Sequence, residues 1–202
     1  MTKIIQLVGP SGTGKERAQT TVAAQLKNEG YNVEELVEPW PLRNLAKGYR
    51  LRADKNPWTE AAIFTTDRAI TFFEKIEPRI REEGLVFLFN RGLADNFVYQ
   101  GFLGEVGLDF IKKINAGLYM PDLSVCLTVD GQVGYERALQ RQLKTGETLS
   151  KNETAERIDL ITSYYRTLAD KMPELNLVFV DTSKITQEEV SASVYEEARK
   201  IL

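Results

Sequence analysis

The chain has 202 residues, 43% hydrophobic and 27% charged, enough for one sizeable core and without a composition break that would mark a second domain. With 26 Lys and Arg against 29 Asp and Glu, the net charge of -3 argues against a nucleic-acid surface, since neutralising a phosphate backbone needs clustered cations in excess. Histidine is absent, which removes Ser-His and Cys-His nucleophiles, histidine metal sites and histidine acid/base catalysis together, whereas phosphoryl transfer depends more on positioning and on cations around the migrating group.

The N-terminus, Met1-Thr2-Lys3-Ile4-Ile5, starts as a strand, and no apolar run approaches the ~18 residues of a membrane span. A cytoplasmic chain with no membrane partner is expected. Five short apolar runs follow one another between helical stretches: Ile4 to Val8, Val33 to Val37, Leu85 to Phe89, Leu123 to Val129 and Leu175 to Val180. Their continuous hydrophobicity predicts strands covered on both faces. After the first run, Ala18, Val22 and Leu26 recur at helical spacing and Gly30 stands where a C-terminal cap belongs. At the far end Thr186 and Glu189 have capping-box spacing ahead of Val190, Val194, Ala198 and Ile201, which predicts a closing helix. Cys126 lies inside the fourth run and reads as core.

Alternating strands and helices predict a single α/β domain over 1–202: a doubly wound, five-stranded parallel sheet with helices on both faces. Ligands of such sheets sit beyond the carboxyl ends of the strands, so the first candidates are Gly9 to Lys15, Glu38, Asn90 with Arg91, Asp130 and Asp181. The stretch from Pro39 to Pro57 is the least regular. Between 43 and 55 it carries Arg43, Lys47, Arg50, Arg52 and Lys55 against the single acid Asp54, as suits either a solvated helix face or a phosphate-facing one.

Gly9-Pro10-Ser11-Gly12-Thr13-Gly14-Lys15 follows a predicted strand and opens a predicted helix, the setting of a phosphate-binding loop. Glycines at 9, 12 and 14 let the backbone N–H groups of the loop, those of Ser11 and Thr13 included, converge on a polyphosphate, and Lys15 reaches the outer phosphates. The strict motif places Ser or Thr next to hold magnesium; here Glu16 follows, leaving Thr20 and Thr21 one turn on as substitutes.

With these residues the sequence resembles thymidylate kinases over nearly its whole length. Ile63-Phe64-Thr65-Thr66-Asp67-Arg68 resembles the segment in which Phe stacks on thymine and Arg binds the base, and an aromatic one turn before an arginine suits a planar base. Read alone, a core Phe64 beside a surface Arg68 is the favoured reading. Asn90-Arg91 and Val98-Tyr99-Gln100-Gly101 resemble the family's Asp-Arg-Tyr…Ala-Tyr-Gln-Gly stretch. The resemblance implies that Arg91 binds the acceptor phosphate and that Tyr99 and Gln100 line the nucleoside pocket, with Glu38 beside them; without it Tyr99 could be core. Pro121-Asp122-Leu123 through Glu136-Arg137 and Arg141 to Tyr164-Tyr165 is similar to the family's strand, lid and following helix, which implies a P-loop-type sheet with a short lid near 141–153, and Arg137 and Arg141 together stacking on adenine and clamping phosphates; otherwise the two form a solvated face.

The resemblance implies ATP as donor with Mg2+, a nucleoside monophosphate acceptor, dTMP first, Lys15, Arg91 and Arg141 in catalysis, and a homodimer. Three positions depart from the pattern. Ser11 stands where the loop usually carries an acid that touches the acceptor's sugar, Val37-Glu38-Pro39 replaces Arg-Glu-Pro, and Asn90 replaces an Asp that helps hold magnesium, leaving Asn90 as the candidate metal contact. A kinase for deoxynucleosides or modified pyrimidine nucleotides, and a non-catalytic nucleotide-binding protein derived from the fold, are the alternatives.

Overall fold

A computed structural model describes residues 1–202. Five parallel strands form one sheet in the order β2-β3-β1-β4-β5: β1 (Lys3–Val8), β2 (Asn32–Val37), β3 (Leu85–Asn90), β4 (Leu123–Thr128) and β5 (Leu177–Asp181). The three central strands are buried on both faces, as continuous apolar runs require, whereas the edge strands β2 and β5 are only partly covered. The fifth strand starts later than predicted. Leu175 is instead the end of a short 3₁₀ turn, Pro173–Leu175, and is fully buried there.

Helix α1 (Lys15–Asn28) ends as the sequence predicts: Gly30 N–H bonds to Lys27 O and Tyr31 N–H to Leu26 O. The basic stretch after β2 is more regular than expected, forming α2 (Arg43–Arg50) and, capped by Asn56, α3 (Pro57–Thr71). A π-helical turn, Phe72–Ile76, extends α3. Beyond β3, α4 (Leu93–Asn96) runs into a second π-helical turn, Phe97–Phe102, followed by α5 (Leu108–Ile114). Then come α6 (Gly131–Thr145), α7 (Ala155–Lys171) and α8 (Gln187–Arg199), the last with the Thr186/Glu189 capping box in place. Since α6 continues to Thr145, Arg141 belongs to a helix and the irregular part of the expected lid is 146–153.

One face of the sheet packs on α1 and α8 through Ile5, Leu7, Val22, Leu26, Val86 and Val194, the other on α4, α5 and α7 through Val8, Leu93, Phe97, Cys126, Ile161 and Leu168. Each large apolar side chain sunk there contributes about 1.5–3 kcal/mol. Cys126 is fully buried, and that burial pushes its thiol far up, consistent with a packing role. The chain runs from β1 to β2 on one side of β1 and crosses from β3 to β4 on its other side, so the strand order reverses at β1 and a crevice opens beyond its carboxyl end.

Candidate functional site

The loop Gly9 to Gly14 occupies that crevice. Gly9 has φ of 128°, and a Cβ there would stand 2.1 Å from Leu127 O; Gly14, at φ 82°, would meet Gln187 Oε1 at 2.0 Å. At Gly9 the β4 backbone leaves no room for a Cβ, and at Gly14 the positive φ favours glycine. Lys15 is 7% exposed and folds back into the loop, donating to Gly9 O at 2.8 Å, Pro10 O at 2.6 Å and Thr13 Oγ1 at 3.1 Å. All three acceptors are neutral. Burial, with the Arg91 guanidinium second, therefore brings its pKa down to about 7, against an opposing pull from Asp95.

This sets a pH dependence. A phosphate oxygen beside Lys15 stabilises its ammonium form, so above pH 7 the bound state holds a proton that the free protein has lost, and affinity for ATP must fall as pH rises. Calorimetry at about pH 8.5 in buffers of different ionisation enthalpy should show uptake of close to one proton, absent at about pH 6. Lys15→Ala should abolish the uptake and weaken ATP binding about tenfold or more, the effect of a lost charge-assisted contact. No uptake in the wild type would contradict the assignment.

Arg91 follows β3 directly, its N–H bonded to Leu7 O at 2.9 Å, and takes φ of 71°, a left-handed conformation that costs a non-glycine residue about 1–2 kcal/mol. Its Nη1 donates to Asp95 Oδ1 at 3.2 Å and its guanidinium lies 5.9 Å from the centre of the Tyr99 ring. Burial works against its charge, but Asp95 and the surrounding phenols outweigh it and hold Arg91 protonated. Asp95 itself was not singled out in the sequence. It is 8% exposed, accepts from Tyr165 OH at 2.9 Å and Gly92 N–H at 3.1 Å, and burial raises its pKa in spite of Arg91 and Lys15. Its position three residues after Gly92, as the capping acid of α4, is the signal that marks it.

Arg68 is 1% exposed and meets Glu38 through two bonds, Nε to Oε1 at 3.1 Å and Nη2 to Oε2 at 2.5 Å. Its Nη1 donates to Asn115 Oδ1 at 2.6 Å and, longer, to Asn96 Oδ1 at 3.4 Å, while Tyr119 OH donates to Glu38 Oε1 at 2.6 Å. Of five guanidinium N–H groups one remains, so Arg68 is first a buried ion-pair partner and has little left for a base. The adjoining Asp67 accepts from Trp40 N–H and Leu42 N–H at 2.8 to 3.1 Å, fixing the chain after β2 against α3. These partners come from sequence positions up to 81 residues apart.

A cavity of about 840 Å³ opens beyond these groups. Ser11, Glu38, Phe64, Arg68, Arg91, Tyr99, Gln100 and Arg141 all face it, bringing together every acceptor-side candidate that the sequence pointed to. Arg50, one of the open basic positions of α2, lines it too, with its guanidinium 4.5 Å over the Phe64 ring and its Nε bonded to Glu60 at 2.8 Å. Glu60 also accepts from Gln100 Nε2 at 3.3 Å, and Gln100 Oε1 accepts from Asn96 at 3.0 Å, so Gln100 is held at one orientation in the wall.

Arg137 and Arg141 lie one turn apart on α6 but reach different partners. Arg137 ties the phosphate loop to the turn after β5, donating to Gly12 O at 3.2 Å and Thr182 O at 2.8 Å, and it stays outside the cavity. Arg141 pairs with Glu153 at 2.6 Å inside it. Asn90 closes β3, and the cavity wall begins one residue later, at Arg91. Asp130 is spent on capping α6, accepting from Gln132 and Val133 N–H, and Asp181 on the turn at Ser183. The Thr20 hydroxyl donates to Glu16 O within α1.

Residues 8–194 match a family model described as thymidylate kinase. The chain is 30% identical over 195 residues to a thymidylate kinase of Geobacillus thermodenitrificans, covering 92% of this chain and 85% of that protein. It is 29% identical to one of Staphylococcus epidermidis, with 84% and 85% covered, and 28% identical to one of Thermoanaerobacter, with 89% of each covered.

Proposed function

The chain belongs to the thymidylate kinase family, and we propose on that basis that it transfers the γ-phosphate of ATP to dTMP, giving dTDP and ADP. The observation that carries this most directly is the single cavity joining the phosphate-loop residue Ser11 and Arg91 to Phe64 and Gln100, because a protein that only senses ATP needs no acceptor pocket. Lys15 and the loop amides bind the donor's phosphates, and Arg137 steadies the loop from its far side. Arg91 binds the acceptor phosphate with its planar fork of donors. Phe64 stacks on the base while Gln100, Asn96 and Tyr99 give its polar edge partners. Residues 146–153, drawn down by Arg141, exclude water so that ATP is not simply hydrolysed. A screen of the common monophosphates with ATP tests the acceptor: dTMP should have the highest kcat/KM, and a different preferred base would overturn that part.

A divalent ion accompanies ATP in such transfers, spreading charge from the phosphates. No group of three acidic, cysteine or histidine side chains is placed to hold one, and Asp95 already serves three donors. The fit is through phosphate oxygens and water, with Asn90 as the neutral protein oxygen and Mg2+ as the ion. Asn90→Asp should therefore lower the Mg2+ concentration needed for half-maximal rate, and an unchanged titration would remove Asn90 from the metal's surroundings.

A homodimer is part of the same proposal; exposed Leu45, Leu51, Trp58 and Phe73 on and beside α2 and α3 give it apolar surface. No helix is long and apolar enough to cross a membrane, and a cytoplasmic location is proposed with it.

A further inference from the structure

Asp95 reaches the cavity wall from α4 and serves cations assigned to two different substrates. Arg91 Nη1 donates to its Oδ1 at 3.2 Å, and Lys15 on the phosphate loop feels its charge. Two further donors fix the carboxylate from behind: Tyr165 OH reaches the same Oδ1 at 2.9 Å and Gly92 N–H reaches Oδ2 at 3.1 Å. Tyr165 lies on α7 and is fully buried, and Asp95 is the one hydrogen-bond partner of its hydroxyl. A buried phenol is thus committed to a single carboxylate oxygen.

Lys15 and Arg91 end in one crevice, and two like charges drawn out of water repel each other: Arg91 pulls the Lys15 ammonium toward its neutral form, and Asp95 opposes that pull. Of the five guanidinium N–H groups of Arg91 one is taken by Asp95, which leaves four for a phosphate and sets the plane in which they point. The carboxylate also has a cost, since it repels the phosphates that arrive beside it. A group that served binding alone would not carry that cost, whereas one that sets alignment does.

We propose that Asp95, seated by Tyr165, is a positioning residue of the transfer: it fixes the Arg91 guanidinium on the acceptor phosphate and offsets its repulsion from Lys15, so that acceptor and donor phosphates meet in one alignment. This rests on the acceptor phosphate binding at Arg91. Tyr165 acts through Asp95 and touches neither nucleotide, and α7 thereby holds the arginine at the end of β3.

The test measures kcat and KM for dTMP at saturating Mg-ATP, and calorimetric proton uptake on binding of metal-free ATP against pH, in wild type, Asp95→Asn and Tyr165→Phe, with thermal melts to establish folding. Asp95→Asn keeps the shape and should lower kcat about 10- to 100-fold, the loss that a small misplacement of a phosphate-holding group brings, while KM for dTMP stays level or falls. Tyr165→Phe removes one oxygen and should lower kcat about 3- to 10-fold without raising KM, as one buried hydrogen bond would. Lys15 faces Arg91, Asp95 and the Cys126 thiol, so with the carboxylate neutralised the onset of its proton uptake should move down by about one pH unit. A side chain that only packs the fold would change melting but neither the split between kcat and KM nor that onset. An unchanged kcat, a loss confined to KM, or an unmoved onset in folded Asp95→Asn overturns the proposal; if that variant does not fold, the kcat of Tyr165→Phe decides it. If wild type binds ATP but forms no dTDP, the kinase activity fails and the onset alone decides: moved, it upholds the hold of Asp95 on the crevice, and unmoved, it overturns that too.

Discussion

Arg68→Met should lower the stability of the fold by about 3–5 kcal/mol, because it leaves the Glu38 carboxylate buried without its countercharge. Glu38 is 4% exposed and Arg68 1%, so solvent cannot take over the lost interaction. Methionine keeps much of the arginine's volume, which confines the loss to charge and hydrogen bonds. For a domain of this size about 2–4 °C of melting temperature accompanies each kcal/mol, giving a drop of roughly 6–20 °C. Pairing the change with Glu38→Leu should recover part of that loss, since an apolar pair of similar volume avoids desolvating two ions. Melting curves of the two single variants and the double variant decide it. Equal melting of wild type and Arg68→Met would mean that the pair is not the anchor between β2, α3 and α5 that its geometry describes.

Arg91→Ala should reduce kcat/KM for dTMP by about 100-fold or more while ATP affinity stays within about threefold, because a bidentate phosphate contact in a water-poor site is stronger than a neutral hydrogen bond and tightens as charge migrates. Two features make Arg91 hard to replace. Asp95 holds one of its nitrogens, and its left-handed backbone aims the side chain from the end of β3. Arg91→Lys should restore little, since an ammonium lacks the planar fork. Steady-state rates with dTMP varied and ATP saturating, together with ATP binding measured directly, separate the two sites. A loss confined to ATP affinity would move Arg91 to the donor side.

The strands were legible to within about two residues because buried parallel strands write themselves as unbroken apolar runs, and the phosphate loop because glycine, lysine and helix start must coincide. Leu175 misled the pattern: it is as buried as a strand residue but reaches the core from a 3₁₀ turn. Helix α2 was hidden by composition, since its one buried side chain is Ala46 and the rest of its surface is basic or open. The site was legible where it follows a strand end and illegible where it depends on distant partners. Nothing local announces that Arg68 meets Glu38, Asn115 and Tyr119, or that Glu60 and Arg50 frame Phe64 and Gln100. Helical spacing put Arg137 and Arg141 on one face correctly, yet one turn of α6 is enough to send the first to Thr182 and the second to Glu153.

The central claim is that phosphate passes from ATP to dTMP in one cavity. Incubating the protein with Mg2+, dTMP and ATP labelled in its γ-phosphate, then separating the nucleotides, tests it without a coupling enzyme. The account predicts label in the β-phosphate of dTDP, formed one for one with ADP, with Lys15→Ala and Arg91→Ala both strongly depressed. Label remaining in ATP, or appearing only as free phosphate, while both nucleotides are bound, would contradict it.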